Sequence, residues 1–328
     1  FCPYYLLDLC NNVFTKTGFF SHFMQPIIER INMMEKIKMK KLLPLTLATT
    51  AFFATSVMAT ELTLDIYNPG DASVFPVSSE IIYGDKDAVL IDAQFQKNDA
   101  QALVDKIKAS GKNLTYIYIS HSDPDFYFGL DVITEAFPNA KVIASAPTVK
   151  IINETQAGKL AYWGPVLKDN APKKVIIPEV VTGDSFSLEG EKLYIKGLDS
   201  QSPERTYVYV PKLNAIMGGV ILSENIHVWL ADTQSKAQRQ YWLEALQQIK
   251  TLSPKTVIPG HYVPKSNYDM RSVDFTMNYL KEAETKLAET QNSEQFIAAM
   301  EKSYPDLADK SSLELSAKVL KGEMKWPQ

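Results

Sequence analysis

The chain has 328 residues, with 34 Lys and Arg against 38 Asp and Glu for a net charge of −4, four histidines and two cysteines. This mild acidity excludes the basic face that a nucleic-acid partner requires. Both cysteines, Cys2 and Cys10, lie near the start, so the remainder has neither a disulfide nor a thiolate metal ligand.

The sequence opens on Phe1 and turns signal-like at Met39. From there "MKKLLPLTLATTAFFATSVMA" places Lys40 and Lys41 before an apolar run and ends on the small residue Ala59, the pattern of a secretory signal peptide. Residues 39–59 are read as that signal, and residues 1–38 as a non-native extension upstream of the natural start. A membrane anchor is the rival reading. The run from Leu42 to Ala59 is uncharged, but it stands at the lower limit for a span and lacks a stop-transfer cluster. The expectation is a periplasmic or secreted protein with no stable membrane insertion after cleavage. The 269 residues beyond 59 suffice for one large domain, and their 28 basic and 35 acidic side chains balance at −7.

Beyond Glu61, "LTLDIY", "SEIIYG" and "AVLID" alternate with the turn signals "NPGD" and "DKD", which predicts antiparallel strands. A helix is predicted over Asp99–Ser110, with Leu103, Val104 and Ile107 on one face and Gly111 as its stop. "LTYIYIS" reads as a buried strand, followed by a helix over Leu130–Phe137, the strand "KVIAS" and a helix from Pro147 to about Ala157. "VVTGDSFSLEGEKLYIKGL" reads as strand-turn-strand. "TYVYVP" and "NAIMGGVI" are further strands, Ser235–Lys250 is helical, and "KTVIPGH" ends a strand on a histidine. Met270–Lys325 is helical in pattern, and residues 266–328 are read as a carboxyl-terminal helical appendage to a domain over 60–265. Two β-rich halves, each finished by helices, predict a layered α/β sandwich.

Only three histidines lie beyond the signal: His121, His227 and His261. His121 and His261 stand at strand ends, where side chains from separate strands can meet in one cleft. In "ISHSDPDFYFGLDV", Pro124 pushes Asp123 toward an extended conformation, so residues 121, 123 and 125 can project from one tight loop. A polar turn with a histidine satisfying backbone groups is the plain alternative.

These residues, with "AVLIDA", "SQSPERTYVYVP", "IMGGV" and "VIPGH", resemble the metallo-β-lactamase fold superfamily, whose loop reads H-x-H-x-D-H. The resemblance covers most of the chain beyond the signal. It implies a four-layer αββα sandwich and a metal-activated water attacking an ester, lactone or related carbonyl of a small-molecule substrate. The ligand set departs from the pattern. His121 and Asp125 match, but Asp123 and Phe126 replace two loop histidines, Gln201 replaces the next histidine, Val220 stands at the bridging position, and His261 matches the last. A two-metal centre needs about five imidazoles or equivalents, so counting excludes it. The resemblance implies one divalent ion, zinc, manganese or iron, held by His121, Asp123, Asp125 and His261, with Asp125 as general base. Gln201 and Tyr127 are placed at the substrate, with packing of Phe126, Tyr127 and Phe128 against the following helix as the other reading of that aromatic run. His227 is read as a packed histidine, Asp92 and Asp199 as supporting residues, and Tyr162 and Trp163 as core or as the wall of an apolar pocket. The alternative function is a metal-free or catalytically degenerate binding protein. The oligomeric state stays open.

Overall fold

A computed structural model describes residues 61–263 and 265–326. The signal peptide and the upstream extension lie outside the described residues.

The strands alternate their apolar side chains between two faces, and each face meets a different partner. The first sheet runs in the order β1 (Thr63–Tyr67), β2 (Ser79–Tyr83), β3 (Asp87–Ile91), β4 (Asn113–Ile119), β5 (Lys141–Ala144) and β6 (Glu179–Val180). Its first two pairings are antiparallel and its last three parallel. Ile81, Leu90, Ile117 and Ile119 point to one side, while Ile82, Val89, Ile91 and Tyr118 point to the other. This is the two-residue period of a sheet buried on both faces.

The second sheet has the order β12 (Thr256–Val257), β10 (Ala215–Met217), β9 (Tyr207–Val210), β8 (Glu191–Lys196) and β7 (Ser185–Leu188). Glu189 and Gly190, both at positive φ, turn the β7–β8 hairpin. Leu193, Ile195, Val208, Val210 and Met217 pack against Ile82, Val89, Ile91 and Tyr118 of the first sheet, which forms the central core.

Helices cover both outer faces. On the first sheet lie α1 (Lys97–Ser110), α2 (Pro124–Tyr127), α3 (Leu130–Ala136) and α4 (Ala146–Leu167). Ser145 accepts from Thr148 N and Pro147 sits in the first turn of α4, a start the sequence announces. The end differs from the prediction. The helix continues ten residues past Ala157, through Gly158, because Leu160 and Trp163 keep packing on the same core. On the second sheet lie α5 (Lys236–Leu252), α6 (Arg271–Glu289), α7 (Ser293–Ser303) and α8 (Lys310–Leu320). Tyr279, Leu280, Phe296, Met300, Leu313 and Ala317 share one apolar cluster with Tyr207, Ile216 and Val257. The carboxyl-terminal helices thus form the fourth layer and complete an αββα sandwich. Among the described residues, no helix is long and apolar enough to cross a membrane.

A small parallel pair, β11 (Ser223–Glu224) with β13 (His261–Tyr262), closes one rim of the sandwich.

Candidate functional site

Asp92, at the end of β3, ties together the segments that carry the candidate residues. Its carboxylate accepts from Ser120 N at 2.8 Å, Ser120 Oγ at 2.6 Å and Gly219 N at 3.4 Å. Burial pushes its pKa up to about 7, against the pull of those hydrogen bonds. Asp92 thus supports the site from beneath, as the sequence indicated. The segment bearing His261 comes close enough that a Cβ on Gly260 would lie 2.0 Å from Gly219 O. Only glycine permits that crossing.

Asp123 is extended, with φ −75° and ψ 145°, and Pro124 begins α2 directly after it. Its backbone N–H donates to His121 Nδ1 at 3.2 Å, and its Oδ2 is 3.3 Å from the same nitrogen. Its Oδ1 accepts from Lys159 Nζ at 2.9 Å, and that ammonium also donates to Ser122 O at 2.9 Å. Burial alone would raise the Asp123 carboxyl, but the adjacent charge of the Lys159 ammonium, with His121 beside it, more than reverses this and holds it well below the usual carboxylate range.

Asp125 faces the other way. Its Oδ2 lies 2.7 Å from His261 Nε2. Burial disfavours the imidazolium of His261, yet the hydrogen bond and charge of Asp125 outweigh it, and the pKa is raised. The ring of Phe126 packs edge-on against both imidazoles, with centroids 5.6 Å from His121 and 5.5 Å from His261.

All four predicted ligands therefore line one cavity of about 530 Å³, but they form two pairs and not one shell. Among the described residues, no three His, Cys, Asp or Glu side chains come together as a metal-holding group. Each side chain is engaged through one of its donor atoms: Lys159 holds Asp123 Oδ1, the loop backbone donates to His121 Nδ1, and Asp125 Oδ2 and His261 Nε2 hold each other, while Phe126 fills the space between strand ends with carbon. A divalent ion would also share the cavity with the Lys159 ammonium and the Arg205 guanidinium. The residues present do not fit the predicted resident ion.

Two substrate assignments are corrected. Gln201 is exposed and lies outside the cavity lining, between half-buried Ser200 and Ser202. Tyr127 is fully buried, since the single turn of α2 sends it into the first core beside Phe128, at 5.2 Å between ring centroids. Its hydroxyl has no partner among the described residues, and burial, with the charges of Asp123 and Asp125, raises its pKa. Asp199 is exposed and also outside the lining.

His227 is buried, with Nδ1 3.1 Å from the Tyr279 hydroxyl, and burial lowers its pKa. It is packed, as the sequence indicated, and it also lines the cavity. Tyr162 and Trp163 stand in the wall, joined to Phe75 and Trp326 by edge-on contacts of 4.9–5.8 Å. Trp229 meets Trp326 at 5.4 Å, and the indole N–H groups of both donate to Asp232. Sequence reasoning missed Lys159, Arg205, Asp232, Trp229 and Trp326. The one available signal was the isolated arginine in "SPERTYVYVP".

The sequence pattern described as the metallo-beta-lactamase superfamily matches residues 72–261. No curated protein matches the chain. Among solved structures, a metallo-beta-lactamase from Pontibacter korlensis is similar at 18% identity and a TM-score of 0.49, over 68% of this chain and 99% of that one. The DIM-1 metallo-beta-lactamase exposed to ceftazidime is similar at 15% identity and 0.48, over 68% and 94%. The FIM-1 metallo-beta-lactamase of Pseudomonas aeruginosa, in its mono-zinc form, is similar at 12% and 0.48, over 68% and 91%.

Proposed function

The chain belongs to the metallo-β-lactamase superfamily and carries its hydrolase fold, and from that premise we propose that it hydrolyses a small ester, lactone or related carbonyl compound with a histidine–aspartate pair in place of a resident metal. The superfamily's general chemistry is metal-dependent hydrolysis; here the donor set has been redistributed. The observation that carries the reading is the 2.7 Å contact between His261 Nε2 and Asp125 Oδ2.

With Nε2 engaged by Asp125, Nδ1 is the nitrogen of His261 left to act as a base. It takes a proton from water as the water oxygen bonds to the carbonyl carbon, and Asp125 stabilises the imidazolium that results. Lys159 has two of its three N–H groups engaged by Asp123 and Ser122, and the third is available to the carbonyl oxygen as negative charge develops. The proton then passes from His261 to the leaving oxygen as the old bond breaks.

The test is turnover of phenyl acetate and dihydrocoumarin by purified protein, with and without EDTA and with added zinc, manganese or iron. Chelator-indifferent hydrolysis that falls at least ~100-fold in His261→Ala and Asp125→Asn is the expected result. Turnover only after metal loading would restore the one-ion reading and overturn this one. A second reading, a binding cleft without turnover, is favoured by the raised pKa of His261, which leaves less free base at neutral pH. Ligand binding with no hydrolysis at any pH would select it.

The proposed workplace is the periplasm or the exterior, on the strength of residues 39–59. Amino-terminal sequencing of the protein from a periplasmic fraction tests this. A chain that still carries Met39 in the cytoplasm would refute it.

A further inference from the structure

Three arginines lie beyond residue 60. Arg239 pairs with Glu284 and donates to Thr233 O at 2.7 Å, and Arg271 holds Asp269 with contacts of 2.7–3.0 Å. Arg205 differs. It is 7% exposed, its guanidinium donates no side-chain hydrogen bond to any described residue, and Nη1 is fully buried without a partner. Its defined contact is the ring of Trp242, 4.5 Å from the guanidinium carbon.

A guanidinium carries five N–H donors and does not give up its charge in a protein, so burying it unpaired is costly. The acids nearest in charge, Asp232, Asp123 and Glu204, do not hydrogen-bond it. Asp232 is held by two indole N–H groups and Asp123 by Lys159. Because Arg205 lines the same 530 Å³ cavity, the missing partner is one that enters from solvent.

We propose that Arg205 anchors an anion in this cavity, and that the molecule held is a small monocarboxylate with an aromatic or apolar body. The planar fork of the guanidinium matches a carboxylate in two parallel hydrogen bonds. Asp123, Asp125, Glu154, Glu204, Asp232 and Asp309 line the same space against Lys159 and Arg205, so every added negative charge meets repulsion and a monoanion on the Arg205 fork is favoured over a dianion. The body of the molecule lies on Tyr162, Trp163, Trp229 and Trp326, the aromatic part of the cavity lining. The inference rests on the hydrolase reading only where it calls this anion a substrate; binding requires no turnover.

The test is calorimetry and thermal shift on the whole protein with phenylacetate, its neutral analogue phenylacetamide, phenyl phosphate and inorganic phosphate. Phenylacetate is expected to bind and raise the melting temperature, with the amide inert and both phosphates at least ~10-fold weaker. Arg205→Lys keeps the charge but loses the fork and weakens phenylacetate at least ~10-fold; Arg205→Met abolishes the binding. If Arg205→Met fails to fold, Arg205→Lys and the acid–amide pair decide. Equal binding of acid and amide, no binding of either, or an unchanged Arg205→Lys would overturn the proposal. Tighter binding of a phosphate would overturn the carboxylate class. Phenylacetate binding without ester turnover would sink the hydrolase reading alone, and turnover without any anion binding would sink this one alone.

Discussion

Lys159 Nζ stands 2.9 Å from Asp123 Oδ1, so a side chain from α4 supplies a positive charge to the loop residue that the family pattern gives to a metal. Both side chains are about four-fifths buried, at 17% and 20% exposure.

Removing that ammonium leaves a carboxylate without its partner. Lys159→Met should destabilise the protein by about 2–3 kcal/mol, and adding Asp123→Asn should recover part of the loss. Denaturant unfolding of both singles and the double checks this. Because the folded pKa of Asp123 is depressed, the stabilisation is present above the unfolded carboxylate's value near ~4 and is lost as pH falls through the folded one. The two curves should therefore converge in acid. Additive losses in the double variant would show that the two side chains act independently.

The His261 pKa is raised, so the free base needed for general-base work accumulates only above the ordinary value of ~6.5. The acid limb of kcat/KM should lie above that value, and Asp125→Asn should move it down while lowering the plateau. The stability contribution of the pair has the opposite sense. It is present below ~6.5 and lost as pH rises through the folded value, so Asp125→Asn should cost most in mild acid and least in alkali. A pH–rate profile and melting curves across pH decide both.

Chelator should leave the melting temperature of the wild type unmoved. Phe126→His alone should bind no zinc, since Lys159 still sits on Asp123. Phe126→His with Lys159→Ala should bind it, because the pair frees a carboxylate and adds an imidazole. Calorimetric zinc titration of the three proteins is the measurement, and stoichiometric zinc on the wild type would contradict the account.

Gly260→Ala would place a methyl 2.0 Å from Gly219 O. The crossing must open, which should cost more than ~2 kcal/mol and carry His261 away from Asp125. Both melting temperature and hydrolysis should fall, whereas Gly164→Ala, in α4 with nothing within 4 Å and outside the cavity lining, should leave both unchanged or slightly improved.

The layers were readable because they follow from periodicity. Alternation in "AVLID" and "YIYI" places Leu90 and Ile117 on one face and Val89 and Tyr118 on the other. The loop was readable too, since Pro124 dictates the extended Asp123. The pairing within the site was not. Ending α4 near Ala157 hid Lys159, because the packing of Leu160 and Trp163 that carries the helix onward is invisible in the sequence. Likewise, the isolated arginine in "SPERTYVYVP" is visible in the sequence, but its burial against Trp242 is not. For Tyr127 the structure decides between two readings: a single turn of helix rotates it inward to pack with Phe126 and Phe128, and its hydroxyl does not reach a substrate.

The last three helices do more than cover a sheet. His227 N donates to Ala308 O and Leu230 N to Ser316 Oγ, so the cavity wall over 226–232 is stitched to residues some 80 positions later. A protease cut between β13 and α6 would not release a working sandwich. It would strip Ile216 and Val257 of their cover and invite aggregation, and calorimetry should register sandwich and helices melting in a single endotherm.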